Sequence, residues 1–156
     1  MLDIVEIKTA LGSTIETNES VSEIVGWTPD EIESKTGIKK RFISSKNDSA
    51  ETLAIQAIEK MSKEKFLDVD LIVSVSNTQK THFPNISNLV HSKLNLNENV
   101  KCLGLNQGCS GYVDAIELVY SYFESNISSK ALVITADTYS KFLKNSRSTR
   151  TLFSDG

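Results

Sequence analysis

Apolar positions in this chain follow two spacings, and these alternate along its second half. Asp70-Leu71-Ile72-Val73-Ser74-Val75, Val100-Lys101-Cys102-Leu103-Gly104-Leu105 and Ala131-Leu132-Val133-Ile134-Thr135-Ala136 are short apolar runs. Such runs, where rich in β-branched residues, predict buried strands. Between them the period changes. Ile86, Leu89, Val90 and Leu94 share one helical face behind Pro84. Tyr112, Ala115, Ile116, Val119, Tyr122 and Phe123 form another, with Asp114, Glu117, Ser121 and Glu124 opposite. Earlier, Ala50, Leu53, Ala54, Ala57, Ile58 and Met61 make one continuous stripe, with Asn47 or Asp48 placed to cap it. Val21 to Trp27 and Asp30 to Lys35 predict two short helices. The second has Thr28 as N-cap, Pro29 at its first position, Glu31 in the capping box and Thr36-Gly37 as its stop. Residues 2–10 predict a strand from Ile4, Val5 and Ile7. Lys39 to Ile43 predicts a basic strand or loop, and residues 151–156 a strand beginning or a turn opening.

Strands alternating with helices imply βαβ crossovers. The expected fold is therefore α/β, a largely parallel sheet with helices on both faces, in one domain over residues 1–156. No repeat, low-complexity segment or interdomain linker interrupts it.

Composition narrows the function classes. The chain has 156 residues, 39% hydrophobic and 24% charged, with a net charge of −3. That balance is ordinary for a soluble globular protein and lacks the basic footprint of nonspecific nucleic-acid binding. No apolar stretch approaches the ~20 residues of a membrane span. The N-terminus lacks the basic start and long apolar region of a signal peptide. The two cysteines differ in context, which suits a reducing cytoplasm better than a disulfide framework. A chain that stops at a turn signal reads as a fragment.

Cys109 carries the candidate chemistry. It stands in Gly104-Leu105-Asn106-Gln107-Gly108-Cys109-Ser110-Gly111-Tyr112, after a strand run and before a helix pattern. A thiol there lies near unpaired backbone N–H groups, whose partial positive charge favours thiolate. The glycines permit a sharp turn and leave room for substrate. In open α/β sheets, reacting groups gather outside the carboxyl ends of the strands. The competing reading is a small buried hydrophobe, the ordinary fate of free cysteine. Cys102, inside a strand run, is read that way.

These stretches resemble a known family. Thr36-Gly37-Ile38 followed by basic residues and Phe42-Ile43, Phe83-Pro84 after a buried strand, Gly108-Cys109-Ser110-Gly111-Tyr112, Ala131 to Ser140, and Arg147-Ser148-Thr149 with Leu152-Phe153-Ser154-Asp155-Gly156 occur in family order at family-like spacing. Together they resemble the N-terminal half of β-ketoacyl-acyl-carrier-protein synthase III, a thiolase-fold condensing enzyme. The resemblance implies that Cys109 accepts an acyl group from an acyl thioester, usually acyl-CoA. A malonyl group on acyl-carrier protein then loses carbon dioxide and attacks the acyl-enzyme. It also implies that Lys35 and Arg147 face the CoA phosphates, that the protein is a cytoplasmic homodimer, and that no metal or permanently bound cofactor is used. The family's catalytic His and Asn belong to the second half of the fold, beyond Gly156. His82 and His91 match no catalytic position.

There are departures. Ser154 stands where the family's Phe-Gly-Asp-Gly motif has Gly. The family often carries a Trp before Thr-Gly-Ile that stacks on the CoA adenine; here that stretch is Asp30 to Lys35, with Trp27 upstream. A carrier-protein donor therefore stays open beside CoA. So do two other functions on the same fold: acyl transfer to an alcohol or amine, and a noncatalytic binding domain.

Overall fold

The first paired backbone is Thr14–Thr17 (β1) against Lys40–Ile43 (β2), antiparallel, with Thr14 opposite Ile43. Two helices fill the connection, Asn18–Val25 (α1) and Pro29–Thr36 (α2). The α2 start is as the sequence predicts: the Thr28 hydroxyl accepts from the Glu31 N–H, the Glu31 carboxylate accepts from the Thr28 N–H, and Gly37 ends the helix at φ 72°. The computed structural model describes residues 2–143 and 146–156, with the backbone alone for residues 147 and 148.

The chain continues through Ala50–Ile58 (α3), Leu71–Val75 (β3), Ile86–Leu94 (α4), Lys101–Leu105 (β4), Gly111–Glu124 (α5), Ala131–Thr135 (β5) and Arg147–Leu152 (α6). β3 is buried at every position because it is the middle strand, in the order β4-β3-β5, all parallel. Leu71, Val73 and Val75 pack with Ala115 and Val119 of α5. Ile72 faces the other way, onto Ala50, Ala54 and Ile58 of α3 and Ile86 and Val90 of α4. The period-two alternation thus covers both sheet faces with helix.

Three expectations are corrected. Residues 2–10 form no strand. They run beside β5 without pairing to it, and a cavity of about 780 Å³ lies between them, lined by Ile7, Phe66, Ile116, Phe123 and Leu132 among others. β5 is an edge strand, but the cavity separates the segment from it, so the apolar alternation pairs with nothing. The α3 cap is Ser49, in a reciprocal pair with Thr52, rather than Asn47 or Asp48. Of residues 151–156, where the sequence suggests a strand beginning or a turn opening, Thr151 and Leu152 end a helix that starts behind its cap Ser146, and no strand forms.

The final residues tie the two sheets together. Asp155, 1% exposed, accepts from the Ser44 N–H at 2.8 Å and from the Ser140 N–H at 2.9 Å. Its own N–H donates to the Phe42 carbonyl, and its carbonyl accepts from Gly12. The Ser154 hydroxyl accepts from the Phe42 N–H at 2.8 Å. The departure from Gly at 154 is therefore used, by a hydroxyl that extends the pairing with β2. Buried Arg41 donates to the Thr151 carbonyl and to the Asn18 side chain.

A compact monomer of this mass exposes about 7800 Å². This chain exposes 9474 Å². Part of the excess is apolar: Ile4, Val5, Ile7 and Phe83 are each more than half exposed.

Candidate active site

The carboxyl ends of the three parallel strands converge on one turn. After β4 the chain enters a single 3-10 turn, Gly108–Ser110, which leads directly into α5. Gly108 takes φ 57°, a left-handed conformation that costs a side chain about 1–2 kcal/mol. This places Cys109 on the surface, ahead of the first α-helical residue, as an exposed free thiol. Gly111 then brings α5 close to the sheet: a Cβ there would lie 2.5 Å from the Val75 Cγ1. The Ser110 hydroxyl donates to the Gln107 carbonyl and to Asp114, closing the turn from the helix side.

The ends of β3 and β5 supply polar partners. One Asp137 oxygen accepts from the N–H groups of Asn77 and Thr78, at 2.8 and 2.9 Å, and from the Thr78 hydroxyl at 2.8 Å. The Asn77 carboxamide oxygen accepts from the Gly108 N–H at 3.2 Å. Beyond β5, Tyr139 stacks against Phe153 with ring centroids 5.1 Å apart. Burial, with the negative charges of Asp137 and Cys109 nearby, pushes the Tyr139 phenol up; hydrogen bonding with Asn77 works the other way. The phenol therefore holds its proton more tightly than an ordinary tyrosine.

The other sequence candidates lie elsewhere. Cys102 is half-buried, packed against the α3–α4 core, and its thiol contacts the Ser87 carbonyl at 3.7 Å. Burial pushes this thiol up, away from thiolate. Lys35 is exposed, its ammonium 5.3 Å from the centre of the Trp27 ring. The Arg147 side chain lies outside the described residues. His91 bonds the Asn97 carbonyl from α4, and His82 is exposed in the loop before Phe83. Among the described residues, neither histidine makes a hydrogen bond with Cys109. Sequence reasoning missed Asn77, Asp137 and Tyr139. A signal was available: Ser76-Asn77-Thr78 and Asp137-Thr138-Tyr139 each follow a buried strand directly.

Residues 103–156, the segment holding this turn, match the family model of 3-oxoacyl-[acyl-carrier-protein] synthase III. The beta-ketoacyl-[acyl-carrier-protein] synthase III of Acholeplasma laidlawii is 36% identical over 146 residues, covering 90% of this chain and 47% of that protein. The Neisseria gonorrhoeae protein of the same name is 30% identical, with 90% and 45% covered. A crystal structure of a 3-oxoacyl-(acyl-carrier-protein) synthase III superimposes with a TM-score of 0.89 at 30% identity, over 98% of this chain and 47% of that one. The priming β-ketosynthase of the R1128 polyketide pathway shares the fold at 22% identity, with a TM-score of 0.83 and 99% and 50% covered. The fold is the thiolase-like α/β fold of these synthases. Within that fold class the chain's sequence is similar to proteins named β-ketoacyl-acyl-carrier-protein synthase III. It spans about half the length of the curated relatives it matches.

Proposed function

We propose that this chain supplies the acyl-accepting half of a synthase III condensing enzyme, with Cys109 as nucleophile. The observation that carries the reading is the exposed thiol held between Gly108 and Gly111, where three strand ends meet. In the first step the Cys109 thiolate attacks the carbonyl of an acyl thioester, the tetrahedral intermediate collapses, and the donor thiol leaves with a proton. In the second step malonyl-acyl-carrier protein loses carbon dioxide. The resulting carbanion attacks the Cys109 thioester, and the thiolate departs from a β-ketoacyl product.

Stabilising that carbanion as an enolate calls for hydrogen-bond donors at its oxygen. The two histidines here are not placed for it, so the condensation step needs residues outside this chain. Lys35 and Arg147 would meet the phosphates of a CoA donor, as cations suited to such groups. The open edge of β4 and exposed Phe83 favour a homodimer built through this side. A cytoplasmic setting accords with a free, exposed nucleophilic thiol.

The test is incubation of the chain with radiolabelled acyl thioesters and mapping of the adduct by mass. Label is expected on Cys109 and lost in Cys109→Ala. Label on Cys102, or label that survives Cys109→Ala, overturns the assignment.

A further inference from the structure

We propose that Asn77 is a positioning residue for the Cys109 nucleophile. The proposal rests on the reading of Cys109 above and adds what holds it. Three elements meet at this side chain. Its own backbone N–H is fixed at 2.8 Å by Asp137, which also takes Thr78, so the end of β3 is locked to the end of β5. Its carboxamide oxygen is fixed at 3.2 Å by the Gly108 N–H, so the same lock reaches the turn after β4.

The polarity of this arrangement has only one sense. A backbone N–H can only donate, so Asn77 must present oxygen to Gly108. Gly108 gains a second constraint in the process. Its φ of 57° is one that glycine adopts freely but does not hold unaided, and an accepting oxygen at its N–H selects it. The charged and titratable groups around the turn are Asp137 at the end of β5, Tyr139 beyond it and Asp114 on α5.

The test reads both thiols of the intact chain with iodoacetamide, with the modified peptides quantified by mass. Cys102 is the internal reference, since its contacts are to Ser87 and Val100 rather than to this turn. In Asn77→Ala the Cys109-to-Cys102 rate ratio is expected to fall about fivefold, the worth of one neutral hydrogen bond. Asn77→Thr, whose hydroxyl again offers an acceptor, is expected to recover the ratio. An unchanged ratio in Asn77→Ala, or one lowered as far in Asn77→Thr, overturns the proposal. Hydrogen exchange at the Gly108 amide of the unsubstituted chain decides independently of folding in any variant. Protection supports the bond, and exchange at the rate of a free amide overturns it. Failure of the nucleophile reading looks different: acyl label maps away from Cys109 while the alkylation ratio still responds to Asn77.

Discussion

Gly111→Ala adds one methyl group where the structure has no room for it. The new Cβ would lie 2.5 Å from the Val75 Cγ1, and carbon atoms in contact prefer about 3.5–4.0 Å. At least about 1 Å must therefore be found. Val75 is β-branched, in a central strand, and 4% exposed, so its side chain has little freedom to rotate away. The remaining way out is for the first turn of α5 to retreat from the sheet. Overpacking of this kind costs about 1–3 kcal/mol. The helix propensity gained over glycine returns at most about 1 kcal/mol, and less at a first helical position. The net expectation is a loss of about 1–2 kcal/mol. For a chain of this size that corresponds to a melting temperature lower by about 2–8 °C. The retreat also moves the Cys109 turn, and a 1 Å displacement of a reacting group can cost about a hundredfold in rate. Thermal unfolding gives the first number and acylation of Cys109 the second. The double variant Gly111→Ala, Val75→Ala removes the clashing methyl and should recover part of both. Unchanged stability and unchanged acylation in Gly111→Ala would refute the reasoning. So would a double variant in which the two losses simply add.

Two further outcomes follow from other parts of the fold. Burial raises Asp70, but hydrogen bonds from the Ser128 hydroxyl, the Ser129 and Lys130 N–H groups and the Ser129 hydroxyl outweigh it, and the carboxyl ends below its ordinary value. A lowered folded pKa gives stability that is present above the unfolded value near 3.9 and lost as pH falls through the folded one. Asp70→Asn should therefore lower stability at neutral pH and flatten the acid limb of the stability–pH curve; an acid limb as steep as the wild type's counts against it. The cavity beside β5 and the exposed Ile4, Val5 and Ile7 should bind an apolar dye and favour self-association at rising concentration. Sedimentation as a strict monomer without dye binding would show that this face is not a sticky one.

The parallel sheet was legible because β3 and β5 are continuous apolar runs, and only a strand covered on both faces needs that. The Cys109 turn was legible for a related reason: glycines on both sides of a thiol, between a strand pattern and a helix pattern, leave few local conformations. Residues 2–10 misled because alternation signals a strand's faces but not the edge it pairs with. α6 was missed since Arg147-Ser148-Thr149-Arg150-Thr151-Leu152 carries no apolar stripe, and its start signal is a Ser–Thr pair rather than the usual Ser–Glu. Asn77, Asp137 and Tyr139 were missed for a topological reason. They come from two strand ends about sixty residues apart, and only the parallel register brings them beside a third.

The contacts made by the last residues also say when the fold can close. Arg41 to Thr151, Phe42 to Ser154 and Ser44 to Asp155 join positions 110, 112 and 111 residues apart. Within the sheet, Leu71 reaches Lys101 across a far shorter loop. Loop-closure entropy grows with separation, so the βαβ units have the cheaper route to order and the β1–β2 region is docked after them. Asp155 accepts its hydrogen bonds only once both regions are in place, which makes it a latch on an already folded body. Conversely, this latch is where opening would begin. A protease or exchanging solvent would be expected to free the β1–β2 region first while the sheet that carries Cys109 stays formed.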